Sequence, residues 1–100
     1  MAEVIWTEPA LQELDAIAEY IALDHPPAAS HLVEKVLAKV ERLQDFPKSG
    51  RWPPELEDSV YREVVVPPCR IFYREEECRV LIVHVMRDEQ QLRGFMLDPD

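Results

Sequence analysis

The sequence predicts an α+β fold, with an N-terminal strand and an antiparallel two-helix hairpin packed on a small, mainly antiparallel β-sheet. Three observations predict it. Two amphipathic stretches of helical period adjoin each other across only "DHPP", stretches rich in Val, Ile and Tyr fill most of the C-terminal third, and 100 residues make one domain, 1–100. A domain of that length buries about two thirds of the surface of its unfolded chain, enough for packed layers around one core.

"EVIW" is short and rich in strand formers, and predicts a first strand at Glu3–Trp6. Thr7 follows with Glu8 and Pro9 behind it, so Thr7 is expected to cap a helix whose first turn they form. Ala10, Leu14, Ile17 and Ile21 recur at steps of four, three and four, with Glu13 and Glu19 off that stripe, which predicts an amphipathic helix over 8–23. After Pro27, Leu32, Val33, Val36, Leu37, Val40, Leu43 and Phe46 keep helical spacing to "FPKSG", where Pro47 and Gly50 stop a second helix. So short a connection makes the helices antiparallel, and their stripes must face another layer. Val36, Leu37 and Val40 are expected against the sheet, with truncation of Leu37 costly.

"YREVVV", "RIFYR" and "RVLIVHVM" predict three further strands, at Tyr61–Val66, 70–74 and 79–86, with 48–59 a connecting loop. The last is almost continuously apolar, as suits a strand covered on both faces or placed centrally in the sheet. Folding the final hairpin about Glu75 and Glu76 sets Cys78 opposite Tyr73 or Arg74 and Cys69 opposite Ile82 or Val83, so no disulfide is expected.

The formal net charge is −9, but it is uneven: residues 1–60 hold five Lys or Arg against twelve Asp or Glu, and residues 61–94 hold six of each. Bulk nucleic-acid binding, which requires a strongly positive face, is disfavoured. No apolar run approaches the roughly eighteen residues of a membrane span, and "MAEVIWTEP" has neither a basic n-region nor an apolar h-region, so no membrane partner and a cytoplasmic location are expected. The Cys and His spacings match no metal motif, and two glycines build no phosphate loop; no cofactor is expected.

The candidate chemistry lies in 61–87. His84 interrupts an apolar strand, where an imidazole must find a hydrogen-bond partner or act, whereas His25 and His31 read as solvated bystanders. Alternation puts Arg70, Phe72 and Arg74 on one face of their strand, with Arg62 on the strand before and Arg87 at the end of the last. Two readings stay open for these arginines. They converge as a group of planar donor forks, or they pair with the carboxylates of Glu63, Glu75, Glu76, Glu77, Asp88 and Glu89.

"WTEPALQELDAIAEYI", the "PPAA" loop, "VLAKVERLQDFPKSGR" and "YREVVVPPCRIFYREEECRVLIVHVMR", in this order, resemble the RelE/ParE superfamily of bacterial type II toxins over about residues 4–88. The most specific piece is L-x-x-F-P-x-x-G-R followed by R-x-x-x-V and R-I-F-Y-R. The resemblance implies the RelE/ParE-like toxin fold and a toxin neutralised by a cognate antitoxin, ParD-like with a ribbon-helix-helix DNA-binding head. The "IFYR" strand, the "PPAA" loop and the acidic balance look closer to ParE-like members, which inhibit DNA gyrase without acting as enzymes. Arg62, Arg70, Arg74 and Arg87 would then bind the target.

The alternative implied by the same resemblance is a RelE-like ribosome-dependent mRNA endonuclease, with Arg62, Arg70, Tyr73, His84 and Arg87 as its catalytic set. "WPPELEDS" places Glu55, Glu57 and Asp58 where such nucleases carry lysines, and those carboxylates would repel ribosomal RNA. A further alternative is a non-toxic antitoxin-binding scaffold or corepressor. Because the chain is acidic, its hold on an antitoxin tail is expected to be more apolar than charged.

Overall fold

The computed structural model describes residues 1–97. Strand β1 (Glu3–Trp6) leads into helix α1 (Glu8–Ala22), helix α2 (Pro26–Glu41) and a short 3-10 turn (Arg42–Gln44). Strands β2 (Tyr61–Val66), β3 (Cys69–Glu76) and β4 (Arg79–Arg87) follow, then a second 3-10 turn (Gly94–Met96). The sheet order is β1-β4-β3-β2, with β1 parallel to β4 and the other pairs antiparallel. The apolar strand β4 is thus central, as its composition implied.

Ala10 and Leu14 of α1 and Ala29, Leu32, Val36 and Val40 of α2 are buried, with Leu43 just beyond. Nearly all of them form one core with Val64, Val66, Cys69, Ile71, Tyr73, Val80, Ile82 and Val85 of the sheet. The buried stripe of α2 is narrower than expected: Leu37 remains 45% exposed and Phe46 63% exposed. Neighbouring helical positions differ by about 100°, so Leu37 falls on the flank once Val36 faces the sheet. Phe46 lies beyond the helix, which ends at Glu41.

Thr7 occupies the N-cap position, yet its hydroxyl caps nothing. It donates to the Ile82 carbonyl at 2.7 Å, beside the Thr7 N–H bond to the same oxygen at 3.1 Å, so it finishes the β1–β4 seam instead. His25, expected to be a bystander, caps α2 by accepting the Ala28 N–H at Nδ1. The β3–β4 hairpin turns about Glu77 and Cys78, with Glu77 in the left-handed region at φ 48° and Glu76 opposite Arg79. Consequently Cys69 faces Arg87 rather than Ile82 or Val83, and Cys78 sits in the turn; both thiols are free.

The far face of the sheet carries a second, smaller core of Phe72, Met86, Leu92 and Leu97, packed against Leu56, Tyr61, Val83 and Met96. The loop before β2 and the segment after β4 therefore cover part of that face.

Ile71 has 0% exposure, so Ile71→Ala is expected to cost about 2–5 kcal/mol. Leu37→Ala is expected to stay within about 0.5 kcal/mol of the parent. Urea unfolding of both variants checks the pair, and equal losses would place Leu37 in the core.

Candidate functional site

An irregularity in β4 decides where the candidate side chains point. Phe72 faces His84 while Tyr73 faces Ile82, so Val83 is an extra residue on β4. Such a bulge reverses the alternation beyond it. Val80 and Ile82 face the helices before it; Val85 does so after it, with His84 and Met86 on the far face. Arg87 returns to the helical side, its guanidinium 5.8 Å from the Tyr20 ring of α1. Arg62, paired with Tyr73, also lies on the helical side, whereas Arg70 and Arg74 lie on the far face. The arginines do not converge, and most find the carboxylate partners of the second reading.

Arg70, 6% exposed, has no surface to offer a target. Its Nε donates to Glu63 Oε2 at 2.8 Å and its Nη2 to Glu55 Oε1 at 2.7 Å, while Nη1 reaches Glu55 Oε2 at 2.9 Å and the Gln90 carbonyl at 3.3 Å. Glu63, 1% exposed, also accepts from Arg51 Nε at 3.0 Å. Bonds to Glu55 and then Glu63 raise the Arg70 pKa, and the Arg70 bond pulls Glu55 down to about 2. Glu55 Oε2 accepts the Leu92 N–H as well, at 3.2 Å. Arg70, expected to bind a target, is instead the buried hub that ties the 51–60 loop and the 88–97 segment to the sheet. Glu55, expected to repel RNA, is spent on the same hub.

Tyr73 has 0% exposure. Its hydroxyl donates to the Pro47 carbonyl at 2.7 Å and accepts the Gly50 N–H at 2.9 Å. Burial pushes the phenol upward. A Cβ at Gly50 would sit 2.5 Å from that hydroxyl and 2.9 Å from the Glu63 carbonyl, so the position has no room for a side chain. The F-P-x-x-G-R and R-I-F-Y-R motifs are therefore two halves of one lock, and Tyr73 is not placed to give a proton to a substrate.

His84 finds the partner its burial demands. Strand β1 ends at Trp6, leaving the edge of β4 beyond Ile82 without a strand, and Glu13 of α1 fills that gap. Glu13 Oε1 accepts the Val85 N–H at 2.9 Å and Oε2 lies 2.9 Å from His84 Nδ1. The imidazole stacks on Phe72, centroids 5.8 Å apart.

Arg62, Arg74 and Arg87 remain partly accessible, and each lies over an aromatic ring, of Trp52, Tyr61 and Tyr20 respectively. Arg62 donates to the Gly50 carbonyl, Arg74 pairs with Glu76, and Arg87 with Glu89 at 2.7 Å. The stacking partners were not legible as such, because each is brought in from a different element. Among the described residues, the buried side-chain nitrogens without a hydrogen-bond partner are Arg74 Nε, His84 Nε2 and Arg87 Nη1. No group of three or more His, Cys, Asp or Glu there is placed to hold a metal, and no helix is long and apolar enough to cross a membrane.

Residues 4–92 match the model of the ParE toxin of the type II toxin-antitoxin system parDE. Toxin RelE2 of Caulobacter vibrioides is 37% identical over 86 residues, covering 85% of this chain and 93% of that protein. Y4kP of Sinorhizobium fredii is 39% identical over 88 residues, covering 86% and 88% respectively. Among solved structures, a chain of the chromosomal ParDE system from P. aeruginosa superposes with a TM-score of 0.74 at 24% identity, over 87% of this chain and 96% of that one, a likeness of fold.

Tyr73→Phe strands the Pro47 carbonyl and the Gly50 N–H, and is expected to cost about 1–3 kcal/mol in urea unfolding. The Glu55 carboxyl lies at about 2 in the fold against 4.5 ordinarily. Its contribution to stability is therefore complete above pH 4.5 and is lost as pH falls from there towards 2. Thermal unfolding across that window is expected to show this acid-dependent loss in the parent and a weaker one in Glu55→Gln.

Proposed function

The chain belongs to the ParE family of type II toxin–antitoxin toxins, and from that premise we propose that it arrests growth by binding DNA gyrase, without chemistry of its own, until a cognate antitoxin neutralises it. The observation that carries this reading is the state of Tyr73. RNA cleavage needs a proton donor and acceptor in reach of the 2′-hydroxyl and the leaving oxygen. The Tyr73 hydroxyl is buried and spent on Pro47 and Gly50, Arg70 is buried between two carboxylates, and His84 Nδ1 faces Glu13. A nuclease set of Arg62, Arg70, Tyr73, His84 and Arg87 is left without its accessible phenol and one of its cations.

A binding surface makes a different demand. Arginines held over aromatic rings lose little freedom on docking, and such desolvated guanidiniums are frequent interface anchors. Arg62, Arg74 and Arg87 fit that role, because each is partly accessible and stands over an aromatic ring. The net charge of −9 further disfavours a ribosomal RNA site.

Purified protein is expected to slow gyrase supercoiling or trap cleaved DNA, and to leave mRNA on translating ribosomes intact. Arg62→Ala, Arg74→Ala and Arg87→Ala are each expected to weaken inhibition with the fold preserved, and His84→Gln to weaken it less. Ribosome-dependent cuts beside unaffected supercoiling would overturn the reading.

A further inference from the structure

Leu11 of α1 and Leu37 of α2 are 46% and 45% exposed, although Leu14, Leu32, Val36 and Val40 of the same helices are buried. They are not scattered. Both line one solvent-open groove of about 380 Å³ between the two helices, with Leu14 and Val33 alongside. A single leucine at a surface is ordinary, whereas two contributed by facing helices to one groove make an apolar patch.

The rim of the groove is acidic. Glu8 and Asp15 stand three before and four after Leu11, and Glu34 and Glu41 stand three before and four after Leu37, so each pair shares the face of its leucine. All four are exposed, and none makes an ion pair among the described residues. Helix α1 contains no Lys or Arg, and Lys35 and Lys39 of α2 lie on its other flank, beside Val65 and Val66. Nothing in the hairpin neutralises this rim. The helices also keep their backbone N–H and C=O groups for their own hydrogen bonds, so the groove offers a partner side chains alone. An occupant must bring a backbone already satisfied, as a helix does.

We propose that the outer groove of the α1–α2 hairpin docks a basic amphipathic helix of a partner polypeptide, with aliphatic side chains on Leu11 and Leu37 and Lys or Arg side chains on the flanking carboxylates. Charge complementarity selects this occupant. A second copy of the chain would bring its own charge of −9, and a nucleic acid or an anionic membrane would be repelled by the rim. The hairpin helices run 15 and 16 residues, about 22–24 Å, so a helix of about four turns spans them. This surface uses none of Arg62, Arg74 and Arg87. The inference therefore goes beyond the proposed function and stands or falls separately from it.

The test titrates the full chain calorimetrically with a synthetic peptide of about four helical turns that carries Leu on one face and Lys on the other. Saturable binding that weakens as salt rises is expected. A scrambled peptide of the same composition keeps the charge but loses the apolar face, and is expected to bind roughly tenfold more weakly or worse. Leu11→Ala/Leu37→Ala is expected to weaken the ordered peptide roughly tenfold while the urea midpoint stays near that of the parent. Asp15→Asn/Glu34→Gln keeps the leucines, and is expected to weaken binding and flatten its salt dependence. Glu57→Gln removes an exposed carboxylate of the 51–60 loop, away from the hairpin, and is expected to change nothing. No saturable binding, equal binding of the scrambled peptide, or undiminished binding by the leucine variant would each overturn the proposal. Self-association in sedimentation that Leu11→Ala/Leu37→Ala abolishes would assign the groove to a second copy and overturn the basic partner.

Discussion

A guanidinium buried in a sheet has to be neutralised where it lies, and the carboxylates that neutralise Arg70 come from two separate segments of the chain before it. Glu63 is its neighbour on β2, while Glu55 belongs to the preceding loop and also holds the Leu92 N–H. Removing one member of such a group leaves a buried charge unpaired, a penalty of about 3–5 kcal/mol. The far face of the sheet depends on this constraint. Leu56, Leu92 and Leu97 pack with Phe72 and Met86 from segments that Arg70 helps tie to the sheet. A surface-pairing argument applied to Arg70 would therefore miss its weight, because the same ion pair that is worth little in water is costly to break when dry.

Tyr73 does for the helical side what Arg70 does for the far side. One hydroxyl satisfies a carbonyl and an amide of the Pro47–Gly50 turn, so the chain leaving the helices is pinned to β3 before it enters β2. Arg62 then bonds the Gly50 carbonyl, and Arg51 pairs with Glu63 across the same turn. The helical layer, the loop and the sheet edge are thereby set relative to one another.

The charges sort by depth more than by sequence. Arg74, Arg79 and Arg87 pair with Glu76 and Glu89 close by in sequence, and Arg62, Arg74 and Arg87 stand over Trp52, Tyr61 and Tyr20. Aromatic support fixes a guanidinium without consuming all its donors, which suits docking better than proton transfer.

Periodicity and punctuation determined most of the architecture. The stripe of α1, most of the buried positions of α2, and an apolar β4 suited to the centre are local patterns whose physics is carried by neighbouring residues. The order of motifs likewise carried the family resemblance. The site was less legible, because its residues act through partners remote in sequence. That Tyr73 locks the F-P-x-x-G turn, that Arg70 is a hub, and that Glu13 replaces a strand at Val85 all depend on contacts no spacing rule contains. The bulge at Val83 decided more than any of these. Alternation counted straight through β4 would set Arg87 on the face of Arg70 and Arg74 and His84 on the helical side. One extra residue reverses both placements. Local sequence sets the period of a strand, but where that period slips is settled by how both faces pack at once, and only the tertiary structure decides it.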